Sequence, residues 1–493
     1  MPAPPSEPAS LLSEAQQNAV RELVRVSPVA VELGTRFAAA GHALHLVGGS
    51  VRDALLGRLQ DDLDLTTDAR PEQVLALVEG WAEATWETGI AFGTVGLQKA
   101  GFRIEVTTYR AEAYEPGSRN PQVHYGDDLV GDLVRRDFTV NAMAVALPDW
   151  KAPDAFVDPH GGLEHLAQRV LRTPGRPEDS FGDDPLRMLR AARFASQLGF
   201  RVDDGVVAAM AAMRDRLAIV SVERIADELS KLLCGAHPRA GLELLVDTGL
   251  AEHVLPELPA LRLEIDEHHQ HKDVYEHTLR VLERAIALED DGPDLVLRLA
   301  ALLHDIGKPR TRRKEAGGGV SFHHHEVVGA KMADTRLRAL RYPKDVVASV
   351  AKLTELHLRF HGYSDAPDGG WTDSAVRRYV TDAGPELQRL HKLVRSDCTT
   401  RNRRRAARLA SAYDSLEQRI AELAEREELD RIRPDLDGHA IMSILGVGGG
   451  RVVGEAYAHL LGLRMEHGPL GAERAEAELR AWARARELLP PPG

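Results

Sequence analysis

The chain has 493 residues, 43% hydrophobic and 28% charged, with a formal net charge of −13. That length suits several domains, each burying its own core, rather than one. The acidic balance excludes an indiscriminate binder of nucleic acid, so any grip on phosphate must be local. Cys234 and Cys398 are far apart and form no CxxC, which argues against a disulfide scaffold or a thiolate zinc site. The opening MPAPPSEPAS has neither a basic nor an apolar signal region and reads as a disordered leader. No later apolar run approaches bilayer-spanning length, so a cytoplasmic protein without a membrane partner is expected.

Residues 13–40 read as helical, and the stretch from 43 to 147 mixes short strands with helices. HALHLVGG predicts a buried strand that runs into two glycines, Gly48 and Gly49, whose backbone N–H groups can approach phosphate. VRDALLGR, with Arg52, opens a helix behind them. In DDLDLTT, Asp62 and Asp64 stand at i, i+2, so a strand projects both carboxylates to one side, where two Mg²⁺ ions could be held. FGTVGLQ and FRIEVTTYR read as adjacent strands. Glu105 on the second is either a third carboxylate at the metals or an ordinary edge-strand glutamate.

A Gly, Pro, Ser and Asn-rich stretch, AEAYEPGSRNPQVHYGDDL, predicts a mobile loop. Beyond it, DLVRRDFTVNAMAVAL carries Arg136, Asp137 and Asn141, groups able to contact ribose and phosphate oxygens or to pin a helix. FGDDPLRMLRAARFASQLGF reads as one amphipathic helix with Asp184 and Arg187 at i, i+3. A carboxylate that accepts from an exocyclic amine and a guanidinium that donates to a ring nitrogen suit cytosine and adenine; uracil and guanine present the reverse pattern. An i, i+3 ion pair is the structural alternative.

These runs together resemble the polymerase β-like nucleotidyltransferases of class II, the group containing tRNA CCA-adding enzymes and bacterial poly(A) polymerases. The resemblance runs from about residue 33 to the tail and implies an α+β chain, a small mixed-sheet palm followed by an all-helical neck, body and tail, with two-thirds or more of the residues helical. It implies a flexible loop around Tyr114, Glu115, Arg119 and Pro121 that helps the site switch from CTP to ATP. It also implies a hinge at Asp158, Gly161 and Gly162, and an amino-acid template in Asp184 and Arg187, with Asp183 where the family has glutamate. SVERIADELSKLL, with Arg224, Glu228 and Lys231, matches a supporting neck helix.

Further on, His277, His304, Asp305, His325, His357 and Asp397 resemble the HD phosphohydrolase signature with the extra histidines of its two-metal version, which implies a divalent metal of unassigned identity. Basic clusters at Arg310, Arg312, Arg313 and Lys314, and at Arg401, Arg403, Arg404 and Arg405, read first as solvated faces and second as RNA contacts. Expected domains are a leader 1–32, a head 33–150, a neck 151–262, an HD domain 263–410 and a tRNA-binding tail 411–493. The expected activity is template-independent addition of C, C and A from CTP and ATP to the 3′ end of tRNA, with DNA no partner. Poly(A) polymerase, an HD-type hydrolase of RNA ends and a non-catalytic RNA scaffold are the rivals, and the sequence leaves oligomeric state open.

Overall fold

In the strand Asp62–Thr67, Leu63 and Leu65 are fully buried while Asp62 and Asp64 project to the open side. Each fully buried leucine is worth about 1.5–3 kcal/mol. A one-residue slip would exchange them for the carboxylates, so the alternation itself fixes the register.

The computed structural model describes residues 13–58, 61–109, 125–126, 128–262, 273–315, 320–360, 371–398, 403–427 and 432–489. The expected leader as far as residue 12, the loop residues Tyr114, Glu115, Arg119 and Pro121, Arg401, and the side chains of Arg403 and Arg405 lie outside the described residues. The chain divides into two compact units, Met1–Pro256 and Glu257–Gly493. Of the described residues, 62% are helical, slightly below the expected two-thirds.

The first unit begins with α1 (Glu14–Val26), α2 (Pro28–Ala39), β1 (Leu44–Val47), α3 (Gly48–Leu55), β2 (Asp62–Thr67) and α4 (Pro71–Val78). It continues through β3 (Ala84–Trp86), β4 (Thr94–Lys99), β5 (Phe102–Thr108), α5 (Leu129–Val134), β6 (Ala144–Leu147) and β7 (Phe156–Val157). The strands form one sheet in the order β3-β4-β5-β2-β1-β6-β7, antiparallel throughout except where β2 lies parallel to β5. Helix α2 packs on β1 and β6, and α4 on β4 and β5. Gly48, at φ +67°, turns the chain from β1 into α3 in a conformation that a residue with a Cβ rarely adopts.

Beyond the sheet come α6 (Gly162–Ala167), a parallel pair β8 (Val170–Leu171) and β9 (Arg201–Val202), α7 (Pro177–Asp183), α8 (Leu186–Leu198), α9 (Asp204–Met213), α10 (Val222–Leu233), α11 (Pro238–Asp247) and α12 (Ala251–Val254). Helix α8 packs against α10 and α11. One expectation needs correction: FGDDPLRMLRAARFASQLGF is not a single helix. Pro185 lacks an N–H and disfavours helical geometry in the residue before it, so α7 stops at Asp183 and Asp184 is extended at φ −140°, ψ 104°.

The second unit comprises α13 (Val274–Ile286), α14 (Leu295–Leu303), α15 (Lys308–Thr311), a two-stranded pair β10 (Arg313–Lys314) and β11 (Val320–Ser321), α16 (His325–Ala339) and α17 (Lys344–Leu356). Helices Asp373–Ala383, Leu387–Asp397 and Arg403–Glu427 follow. The apolar α14 is buried from Leu297 to Leu303 and packs on α13, α17 and the Leu387–Asp397 helix. The last helices, Gly438–Leu445, Arg451–His467 and Ala472–Ala485, share a separate core built on Ile441, Ala456, Leu460, Leu479 and Ala483.

Candidate active site

The parallel pairing of β2 with β5 sets Asp64 directly beside Glu105 and Asp62 beside Arg103, so three carboxylates share one face of the sheet. β5 lies between β4 and β2, which removes the edge-strand alternative for Glu105. Ser50, at the start of α3, ties the helix to this strand: its hydroxyl accepts from the Asp64 N–H at 2.9 Å and donates to the Asp62 carbonyl at 3.3 Å. Loss of water around Asp64 pushes its carboxyl above the ordinary range, and Glu105 pushes the same way; Arg136, Arg52 and the Gly49 N–H pull back. A Cβ at Gly48 would stand 3.3 Å from Asp64 Oδ2 and 3.1 Å from the Arg136 guanidinium, so glycine keeps this corner clear. Three carboxylates on one face are a donor set that fits a divalent cation.

Arg52, Asp137 and Asn141 lie in a buried polar chain. Arg52 grips Asp53 with two hydrogen bonds of 2.7 and 2.8 Å and donates to Asn141 Oδ1 at 2.6 Å. Asn141 donates to Asp137 at 2.9 Å, and Arg190 on α8 donates to the other Asp137 oxygen at 2.7 Å. Burial opposes the Asp137 charge, but Arg190 and Asn141 overcome it and hold the carboxyl well below the usual range. Arg193 meets Glu228 of α10 at 2.8 Å. Burial pushes Glu228 up and Arg193 down. The guanidiniums of Arg52, Arg190 and Arg193 surround the Phe194 ring at 5.1, 5.6 and 4.2 Å. Arg190 and Arg193 escaped the sequence reading, although their three-residue spacing after Arg187 repeats one helical face.

Asp184 and Arg187 make no ion pair with each other. Arg224 donates to Asp184 Oδ2 at 2.8 Å, while Oδ1 accepts the Leu186 N–H at 3.0 Å. Arg187 donates to the Ser180 hydroxyl at 3.0 Å and to the Arg135 carbonyl. Both side chains are thus held by neighbours rather than by each other; Ser180 is a positioning residue that motif reading left unassigned, and Arg224, expected as neck support, holds Asp184. At the expected hinge, Asp158 accepts the N–H groups of Gly162 and Leu163 at 2.7 and 2.9 Å. Of the expected RNA contacts Arg401, Arg403 and Arg404, Arg404 is exposed on the Arg403–Glu427 helix.

In the second unit, six expected ligands converge from the ends of separate helices. Asp305 approaches His304 Nε2 and His325 Nε2 at 3.2 Å each, His277 Nε2 at 3.5 Å and His357 Nε2 at 3.9 Å. Asp397 lies 3.0 Å from His277 Nε2. The Nδ1 atoms of His304, His325 and His357 each face the carbonyl three residues earlier, at 2.8, 2.8 and 2.7 Å, which sets Nδ1 as donor and turns the Nε2 lone pairs inward. Nε2 of His325 and of His357 are buried without a hydrogen-bond partner. An imine nitrogen and a carboxylate are both acceptors, so a cation between them reconciles the contact. His277, His304 and Asp305, and Asp305, His325 and His357, form the tight ligand triads among the described residues. Burial pushes His357 down to about 3, which keeps its Nε2 unprotonated.

Residues 44–172 match the poly A polymerase head domain family, 199–261 the probable RNA and SrmB-binding site of polymerase A, and 274–429 the HD domain. The chain thus carries, in order, regions similar to these three families. Among curated relatives, the CCA-adding enzymes of Anoxybacillus flavithermus and Bacillus subtilis are each 42% identical, over 46% and 44% of this chain and 54% and 52% of their own. The chain thus spans about half the length of the curated relatives it matches. The solved Bacillus stearothermophilus CCA-adding enzyme in complex with CTP is 27% identical, covering 93% of this chain and 98% of that one with a TM-score of 0.63. The Thermotoga maritima CCA-adding enzyme complexed with tRNA shares the fold at 17% identity and a TM-score of 0.58, over 94% of this chain and 98% of that one. Among the described residues, no helix is long and apolar enough to cross a membrane.

Proposed function

We propose that this chain adds C, C and A to the 3′ end of tRNA from CTP and ATP without a nucleic-acid template. The observation that carries the reading is the separately clamped pair Asp184 and Arg187, in the same unit as the open carboxylate face. A carboxylate held by Arg224 and a guanidinium held by Ser180 offer a fixed acceptor and donor, which match the pairing edges of cytosine and adenine and oppose those of uracil and guanine. Leaving such half-buried groups unmatched is how a site rejects a near-identical ligand.

Asp62 and Asp64, with Glu105 abreast, are the residues that would hold Mg²⁺, two ions in this reading. When bound, the metal supplies charge neutralisation at the triphosphate and activation of a hydroxyl. Gly48 and Gly49 let phosphates approach the backbone, and Arg136 stands over the same corner. The terminal 3′-hydroxyl of the RNA attacks the α-phosphorus in line, its O–P bond forms as the bond to pyrophosphate breaks, and its proton passes to solvent. Arg52, Asp137 and Asn141, committed to one another, act by keeping α3 and α8 in fixed relation. The CTP and tRNA complexes of the solved relatives name the ligands this reading expects. Head, neck, HD domain and tail are assigned to 33–150, 151–262, 263–410 and 411–493, and the site of action to the cytoplasm.

The test is incubation with Mg²⁺ and tRNA transcripts ending before CCA, at C and at CC, with each nucleotide alone and then CTP plus ATP. Extension to CCA followed by arrest, abolished by Asp62→Ala, is the expected result. Long adenylate tails without CTP use would make the chain a poly(A) polymerase. The buried, partnerless nitrogens of His325 and His357 favour a second activity in the other unit, metal-dependent hydrolysis of phosphoesters at RNA ends. That hydrolysis should survive Asp62→Ala and vanish in His304→Ala.

A further inference from the structure

The second unit has a strongly cationic surface that neither reading above uses. Arg310, Arg312, Arg313 and Lys314 are all exposed, and among the described residues none of them meets a carboxylate. Elsewhere in the unit several exposed arginines are engaged, as in Arg338 on Asp334, Arg378 on Glu466, Arg426 on Asp373 and Arg451 on Glu455. Four free cations within five residues are a local exception in a chain of net charge −13.

The position of the segment says what it serves. It leaves the pocket at Lys308, whose ammonium lies 2.6 Å from the ligand Asp305. The chain returns through β11 to Phe322, whose carbonyl accepts from Nδ1 of the ligand His325 at 2.8 Å. Gly307 completes the anchor, since a Cβ there would stand 2.1 Å from the His325 carbonyl. The basic segment is therefore rooted at both ends in the pocket. The ligands themselves are enclosed, with His304 and His357 at 0% and Asp305 at 1% exposure. A duplex is too broad to bring its backbone to atoms so deeply set, whereas a strand end can enter while its following phosphates lie outside.

We infer that Arg310, Arg312, Arg313 and Lys314 form a docking tract for single-stranded RNA, gripping the phosphates that trail behind a strand end presented to the HD pocket. The inference rests on the reading of that pocket as a metal site for phosphoesters and names its partner. The tract reads charge and strand form, not base sequence, because it is built of cations without aromatic platforms.

Binding of a 3′-phosphorylated single-stranded RNA dodecamer, labelled at its 5′ end, is measured by fluorescence anisotropy across a range of KCl concentrations. The proteins are the full chain and a variant with Arg310→Ser, Arg312→Ser, Arg313→Ser and Lys314→Ser. Release of counterions from about four single-strand phosphates predicts that the log–log salt slope becomes shallower by up to about 2.8 in the variant. Its melting temperature should not change, since these side chains hold nothing else. An unchanged slope, or equal wild-type affinity for the blunt duplex of the same sequence, would overturn the tract. Mn²⁺ titration by calorimetry separates the two readings. Metal binding that is lost in His304→Ala but kept in the four-residue variant leaves the pocket standing whatever the salt slope does. No difference between wild type and His304→Ala removes the pocket, and with it the role given to the tract.

Discussion

Replacing Arg190 with methionine tests the buried polar chain that joins the sheet to α8. Methionine keeps the aliphatic stem over Phe194 and removes the charge. Asp137, 7% exposed, would keep the Asn141 amide at 2.9 Å and the Phe138 N–H at 2.8 Å but lose its cation. Breaking a buried pair from one side costs about 3–5 kcal/mol. The two surviving bonds and the partial exposure of Arg190, 35% of its side chain, place the expected loss near the lower end, about 3 kcal/mol. At about 2–4 °C per kcal/mol for a unit of this size, the melting temperature should fall by roughly 6–12 °C. In the native protein the Asp137 carboxyl is held below its ordinary 3.8, so its stabilisation is complete above that pH and is lost as pH falls toward the folded value. Without Arg190, burial raises the carboxyl instead, so the defect should be largest at neutral pH and shrink as pH falls through that raised value, which lies above 3.8. Urea unfolding of wild type, Arg190→Met, Asp137→Asn and the double variant, at pH 7 and pH 4, measures both effects. A neutral-pH loss under 1 kcal/mol, or additive single substitutions, would refute the view of Arg190 and Asp137 as one unit.

Asp62→Asn and Asp64→Asn should each lower nucleotide incorporation by about 10³-fold or more, and Glu105→Gln by less, in single-turnover assays; equal residual rates for all three would contradict the assigned ranks. Ser180→Ala removes one bond that orients Arg187. It should reduce the kcat/KM preference for CTP over UTP by about tenfold with little change in melting temperature, and an unchanged ratio would show that the Arg135 carbonyl alone suffices. Metal-stripped protein should gain thermal stability on adding Mn²⁺, by about 2.7 kcal/mol at a hundredfold excess over Kd if one site dominates, and His357→Ala should blunt that gain.

The alternation of the palm strand was legible because DLDL states which side chains are buried, Leu63 and Leu65, and which carboxylates, the proposed ligands Asp62 and Asp64, face the open side. Glu105 needed the parallel register of β5 with β2, which no local pattern announces. In the neck, the sequence supplied Asp184 and Arg187 but concealed how they are held. Pro185 breaks the helix that periodicity suggested, and the partners that orient the pair, Ser180, Arg135 and Arg224, come from three other places in the chain. Arg52, Asp137 and Asn141 looked like ligand contacts because their chemistry suits phosphate and ribose. Folding instead turns them toward one another, a choice that depends on Arg190 arriving across the sheet–helix junction. The HD ligands were readable from order and residue type, while the carbonyls that set their tautomers became visible only once the helix ends were placed.

The parallel pairing of β2 and β5 also dictates a timetable. Their partners, such as Thr66 and Thr107, are 41 residues apart, and β3 and β4 are made in between. At a synthesis rate of about 5–20 residues per second, several seconds separate the two strands at the ribosome. During that interval β1 and β2 can pair, yet the flank of β2 that will receive β5 has nothing to bond. Because β5 is also the partner of β4, the β3–β4–β5 meander docks as a block, and Asp64 gains its neighbour Glu105 only at that moment. Under the proposed function, the carboxylate cluster of a nascent chain therefore stays incomplete until β5 has paired with β2.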